Sequence, residues 1–408
     1  MFWKKRIYAD AAAATPLSAR SQKELLRLLG AFGNAGALHR EGVEAKAELE
    51  KARASIAESI GAHADEVVFV ASGTEGNNLA IQGILRPLLQ AYGEVHAMTC
   101  AIEHQSVLEP LRAMEREGLY TTVLQVDVEG LVSTKDIAAA VNDETMFVSI
   151  QLVNSEVGTT EPIKEIAKEI RKIRASRKDT PIYFHTDASQ APLWVDINVE
   201  KLGVDLLTLD AQKVLGPKGI GALYIRRGTP VEPMLWGGKQ ERGLRGGTEN
   251  VPQAGAFAVA LADAQKDAEK RVKNITEVRD YCWSEIKRLL PDTVLNGPGL
   301  KQGETLFYKV SPCLRVANNL NISVPGLEAE MAVVSLDALG IAASTRSACT
   351  IGSEEPSHVI KALGVPAQMA GTAIRLTLLP GATRAQARRI AQALKETADR
   401  YRQKTLTK

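Results

Sequence analysis

With 408 residues, 45% of them hydrophobic and 24% charged, the chain has a globular composition and enough length for two domains sharing an interface. A formal net charge of +2 gives no electrostatic case for nucleic acid or an anionic membrane, and no uninterrupted apolar run is long enough to span a bilayer. The start, Met1 to Arg6, has no apolar signal core behind it, and four scattered cysteines (Cys100, Cys282, Cys313, Cys349) lack metal-ligand spacing; free thiols, no metal site and a cytoplasmic address are expected.

Ile7 to Asp10 and the run to Pro16 read as an extended arm entering a helix near Ser18, and Phe32 to Gly36 as a loop. Glu44 to Ile60 has helical apolar spacing and strong helix formers. The short apolar strand Val67 to Val70 leads directly into Ala71 to Asn78, where a helix begins that runs through Ile84. Strands at Val95–Cys100, Thr122–Val126, Met146–Leu152, Ile182–His185, Val204–Leu209 and Ala222–Ile225 then alternate with helices such as Ser106–Glu117 and Ile163–Ala175. This alternation predicts an α/β fold with a mainly parallel sheet, helices on both faces and ligands at the carboxyl ends of the strands. After Gly246-Gly247-Thr248 comes a long, charged, helix-favouring stretch, Ala254 to Leu290, ended by Pro291, Pro298 and Gly299. The tail reads as strand 318–324, helix 328–339, strand 374–378 and helix 384–402, a smaller α+β unit.

Chemistry-bearing residues fall at several strand ends. Lys213 follows a buried strand and precedes the turn Gly216-Pro217-Lys218-Gly219. Desolvation there favours a neutral amine able to attack carbonyls, as a Schiff-base lysine must; the competing reading is a solvated lysine at a hairpin mouth. Ser72 to Gly76 joins a strand to a helix, so its free N–H groups suit an anion, with Gly73 allowing close approach; a plainly capped helix is the alternative. Asp187, in His185-Thr186-Asp187-Ala188-Ser189-Gln190, could pair with a protonated pyridine nitrogen or cap a helix, and Gln190 could reach a ring hydroxyl. His104 could stack on an aromatic cofactor and carry protons, or be a structural histidine. Cys349 lies among small polar residues three positions after Arg346, which could stabilise a thiolate, and is the best nucleophile candidate, with an inert thiol the competing reading; Cys100 and Cys282 fall on strand and helix patterns and read as packed. Arg375, within an apolar strand, needs a partner: a substrate carboxylate or an internal acid.

In order, these pieces resemble the cysteine desulfurases, enzymes of the class V aminotransferase group with fold type I that use pyridoxal 5'-phosphate (PLP). The likeness runs nearly end to end. It includes Tyr8-x-Asp10, Phe32-Gly33-Asn34, Ser72-Gly73-Thr74-Glu75, Glu103-His104, Asn154-Ser155-Glu156-Val157-Gly158, the His185 to Gln190 stretch, Lys213 with Gly216 to Gly219, Glu241-Arg242-Gly243, Arg245 to Thr248, Ser347 to Thr350, Glu355 to His358 and Ile374-Arg375.

The resemblance implies that Lys213 carries PLP covalently, His104 stacks on the ring, Asp187 meets its nitrogen, and Asn154 and Gln190 orient it. Gly73, Thr74 and Gln212 would hold the phosphate, and Thr248 would reach the other subunit's phosphate in a homodimer. Asn34, Asn154 and Arg375 would hold L-cysteine, and Cys349 would take its sulfur as a persulfide, leaving alanine. The sulfur would pass to an acceptor protein, an iron–sulfur scaffold or a sulfur carrier for tRNA thiolation. The implied division is an arm, 1–20, packing with the small domain; a large PLP-binding domain, 21–255; and a small domain, 256–408, carrying the Cys349 loop. Two departures stand out. Asp210-Ala211-Gln212-Lys213 replaces the usual Ser-x-His-Lys, so Asp210 is expected to turn away or pair with a cation; and Arg346 replaces a usual glycine. The alternatives are a selenocysteine lyase or another class V PLP lyase or transaminase, and a non-catalytic binding relative.

Overall fold

The computed structural model describes residues 6–177, 180–300, 314–345 and 356–406. A two-residue strand, β1 (Ile7–Tyr8), begins the chain. The main sheet uses β2 (Val67–Val70), β3 (Val95–Cys100), β4 (Leu119–Leu124), β5 (Thr145–Ser149), β6 (Tyr183–Asp187), β7 (Leu206–Asp210) and β8 (Gly221–Ile225). Its seven strands lie in the order β2-β8-β7-β6-β5-β3-β4. Every neighbouring pair is parallel except those of β8, which runs against both β7 and β2.

The expected α/β architecture with a mainly parallel sheet is therefore present. Strands β2, β3, β5, β7 and β8 are buried along their whole length because helices cover both faces. That is why they read as mostly apolar runs. The edge strand β4 is buried only at its end residues, Leu119 and Leu124, and begins three residues before the expected start, where Tyr120 is exposed and Thr121 half-buried, breaking the apolar run.

Helix Gly73–Tyr92 follows β2 at once, with Ser72 Oγ accepting the Glu75 N–H at 3.2 Å as N-cap. The expected single stretch over 254–290 is two helices, Val251–Gln265 and Ala268–Leu289, separated at Asp267, whose φ of 52° a short polar side chain tolerates. Beyond them, β9 (Val294–Leu295) and β10 (Asn319–Ser323) pair antiparallel, β11 (Ile341–Ala342) belongs to a separate two-stranded sheet, and β12 (Ala373–Thr377) pairs antiparallel with β10. Helix Arg384–Leu406 packs on Ala268–Leu289. Among the described residues no helix is long and apolar enough to cross a membrane.

The arm joins the two ends of the chain. Strand β1 pairs in parallel with β11, and the Thr377 N–H donates to Ala9 O at 2.8 Å while Ala11 N–H donates to Thr377 O at 3.1 Å. Further along, Thr15 N–H donates to Gln212 O and Ser18 N–H to Leu215 O, both at 2.9 Å. Those bonds hold Leu215 in a left-handed conformation (φ 65°), a strained position for a branched side chain, two residues after Lys213.

Candidate active site

The carboxyl ends of β2, β6 and β7 open into one cavity of about 290 Å3, lined by Lys213, Asp187, His104, Gln190, Gly73, Thr74, Gln212 and Arg375 among others. Three further expected residues are not part of this lining. Asn34 is exposed, and its side chain closes a local turn by accepting the Gly36 N–H at 2.9 Å. Asn154 is buried and spent internally: Oδ1 accepts the N–H groups of Glu156 and Val157, each at 2.8 Å, and Nδ2 donates to Ile102 O at 2.9 Å. It shapes the 151–158 turn from behind. Thr248 is exposed in a separate cleft with Gly219, Arg245 and Asn250. Cys349, Arg346 and Cys313 lie outside the described residues.

Lys213 ends a short 3-10 turn after β7, and Nζ donates to the carbonyls of Ala12 at 2.9 Å and Ala13 at 2.6 Å. Gln190 Nε2 also donates to Ala12 O, at 2.9 Å, so the arm positions both side chains. Asp187, at the end of β6, accepts the Ser189 N–H at 2.9 Å on Oδ1 and Asn77 Nδ2 at 2.7 Å on Oδ2.

Asn77 also donates to Ser106 Oγ at 2.8 Å, and Ser106 Oγ lies 2.7 Å from His104 Nδ1. Since the Ser106 N–H points at the same Nδ1 at 3.1 Å, that nitrogen is the acceptor and the neutral imidazole carries its proton on Nε2. A continuous line thus runs from Asp187 through Asn77 and Ser106 to His104. The position of Asn77 within the Ser72 to Asn78 stretch was visible in the sequence; its partners 29 and 110 residues away were not.

Glu103 sits behind this line, fully buried, with Oε1 accepting the Gln151 N–H at 2.5 Å. Burial, reinforced by the Asp187 charge, holds its carboxyl well above the usual range. Burial likewise pushes His185 down to about 4. Cys100 and Cys282 are packed, as expected: burial raises the Cys100 thiol well above its ordinary value and that of Cys282 to about 12.

Arg375 takes the internal-acid alternative in part. Nη2 donates to Asp10 Oδ1 at 2.8 Å and Nη1 to Ser155 O at 3.2 Å, while the buried Nε has no hydrogen-bond partner among the described residues. Asp210 does not turn away from the cavity: its carboxylate accepts from Gly73 N, Gln212 N and Gln212 Nε2. Ser189, within the His185 to Gln190 stretch, lines the same corner with a buried Oγ that has no partner among the described residues.

Residues 7–390 match the family model described as aminotransferase class-V. The chain is 40% identical over 376 residues, 92% of this chain and 90% of the relative, to cysteine desulfurase IscS of Dictyoglomus turgidum. It superposes on a solved NifS-like protein with a TM-score of 0.86 at 29% identity, covering 97% of this chain and 99% of that one. A solved structure of SspA in complex with cysteine matches with a TM-score of 0.75 at 30% identity, over 92% of this chain and 99% of that one.

Proposed function

The chain belongs to the class V aminotransferase family, and on that premise we propose that it is a PLP-dependent cysteine desulfurase that moves the sulfur of L-cysteine onto Cys349 and leaves alanine. What carries this reading is the convergence, in one cavity at the strand ends, of a lysine, a carboxylate, a histidine and an arginine around an amide-lined corner. The likeness to relatives called cysteine desulfurase IscS, and to SspA solved with cysteine, supports the substrate.

The residues present fit the cofactor. Ser189 Oγ is an orphaned hydroxyl in that corner, and a Cβ on Gly73 would lie only 2.8 Å from it, so the glycine keeps the corner open. Lys213 would hold the cofactor, with Asp187, fixed by Asn77, at the ring nitrogen. His104 would lie against the ring and Gln190 would orient it. Gly73, Thr74, Ser189 and Gln212 would take the phosphate. Bound there, PLP supplies a sink for the electron pair left when an amino acid loses its Cα proton.

The unpartnered Nε of Arg375 offers the substrate carboxylate a donor, while Asp10 keeps the guanidinium in place. Lys213 Nζ would be the group on hand to move the Cα proton. The Cys349 thiolate attacks the substrate sulfur. The Cβ–S bond breaks, its electron pair stays on Cβ and takes up a proton, and alanine leaves while the sulfur remains on Cys349 as a persulfide. Transfer to an acceptor protein of iron–sulfur cluster assembly or tRNA thiolation, in the cytoplasm, completes the reading. A homodimer in which Thr248 serves the partner subunit's phosphate belongs to the same proposal.

The test is the visible spectrum of the purified protein, followed by alanine and sulfide assays with L-cysteine. The expected result is a yellow protein that makes alanine and loses sulfur transfer in Cys349→Ala. Activity indifferent to Cys349, or a colourless protein that added PLP does not convert, overturns the reading.

A further inference from the structure

We infer that Asp210 is an internal anion that occupies the phosphate seat, so that loading PLP requires its displacement and the protein holds the cofactor as an exchangeable ligand. The inference rests on the cofactor reading above and deepens it.

The corner is built for a negative charge. Helix Gly73–Tyr92 is 20 residues long, and the N–H of its first residue, Gly73, reaches the corner. Into the same space come the Gln212 N–H, the Gln212 side-chain amide and the buried, unpartnered Ser189 Oγ. Asp210 supplies the charge. Its Oδ2 accepts from Gly73 N at 3.3 Å and from Gln212 Nε2 at 3.1 Å, and its Oδ1 accepts from Gln212 N at 3.2 Å. Its Cβ stands 3.2 Å from where a Cβ on Gly73 would lie, and only 7% of the residue is exposed.

Asp210 and Gln212 therefore act as a unit, the amide of one satisfying the carboxylate of the other. A phosphate brought to these donors must compete with a carboxylate already bound to them. If Asp210 rotates out, it gives up three hydrogen bonds. If it stays, two anions share one buried corner, where repulsion is stronger than in water. Either route weakens the phosphate's contribution to binding and leaves the contribution of the pyridine ring untouched.

The experiment compares equilibrium dissociation constants of PLP and of pyridoxal, which lacks the phosphate, for the cofactor-stripped full chain and its Asp210→Asn and Asp210→Ser variants. Binding is read by absorbance and intrinsic fluorescence. Asparagine keeps the shape and removes the charge; serine removes both, so a fold defect in one variant does not decide the result. PLP is expected to bind the variants about 10- to 100-fold more tightly, the range that removing one nearby like charge in a partly screened site allows. Pyridoxal affinity is expected to change by less than about twofold, as the ring contacts are unaltered. Inorganic phosphate should raise the melting temperature of the stripped variants more than that of the stripped wild type.

Equal shifts for PLP and pyridoxal, or weaker PLP binding in both variants, overturn the inference while leaving the desulfurase reading intact. Failure of PLP to bind wild type and variants alike overturns that reading and this inference together.

Discussion

Replacing Glu161 by glutamine will stabilise the protein near neutral pH and do little in mild acid. Glu161 is 3% exposed; Oε2 accepts the Val132 N–H at 3.0 Å, and the buried Oε1 has no partner among the described residues. Burial, with some help from the Asp127 charge, pushes its carboxyl from 4.5 up to about 8, against the opposing pull of the Val132 N–H. The folded protein thus keeps this group protonated while the unfolded chain ionises it above 4.5. Ionisation then favours the unfolded state, so the penalty is absent well below that value and grows with pH until the folded group itself titrates at about 8. At 1.36 kcal/mol per pH unit, the penalty is about 3 kcal/mol at pH 7 and under about 1 kcal/mol at pH 5. Glutamine has no proton to lose, nearly the same shape, and an oxygen for Val132. Urea unfolding at pH 5 and pH 7 should therefore show an advantage for Glu161→Gln that is about 2 kcal/mol larger at pH 7. An advantage of the same size at both pH values would show the carboxyl to be ionised in the fold and refute the reasoning.

Arg53 and Glu241 form a buried ion pair, at 2.6 and 2.8 Å, that ties the loop before Thr248 to β2 through the Phe69 N–H. Arg53→Met leaves Glu241 charged and unpaired and should cost about 3–5 kcal/mol in thermal or urea unfolding, with partial recovery in the double variant carrying Glu241→Gln. Gly158 has φ 76°, and a Cβ there would lie 2.8 Å from the Asn319 side chain. Gly158→Ala should lower the melting temperature by an amount corresponding to about 1–3 kcal/mol, and an unchanged value would mean the turn relaxes freely. Lys213→Ala should bind PLP without fixing it: borohydride reduction adds the cofactor's mass to the wild type and not to the variant.

The strand ends carried most of the legible chemistry. Lys213, Asp187, His104 and Gln190 each stand within a few residues of a buried apolar run, and a run of that kind announces both the strand and its carboxyl end. Arg375 was visible as a charge inside such a run, but Asp10, its partner 365 residues away, was not. Asn34 and Asn154 make local turn bonds that the sequence did not announce, because an asparagine amide satisfies its own turn as readily as a ligand and local spacing does not distinguish the two. The inward set of Asp210 was equally hidden. It follows from the closeness of Gly73, 137 residues earlier, which only the sheet order creates. The break at Asp267 left no glycine or proline to mark it.

The N-terminal arm has a consequence for the order in which the molecule is made. Its carbonyls hold Lys213 and Gln190, its Asp10 holds Arg375, and its own strand pairs with Ile341–Ala342. Asp10 therefore waits for a partner made 365 residues later before it finds its place. A nascent chain long enough to form the main sheet lacks Arg375 and the β11 and β12 contacts that anchor the arm. These are contacts of extreme sequence separation, and they form late. Functional competence is thus a property of the finished polypeptide: a stalled or truncated product would contain a well-folded sheet and an unassembled site.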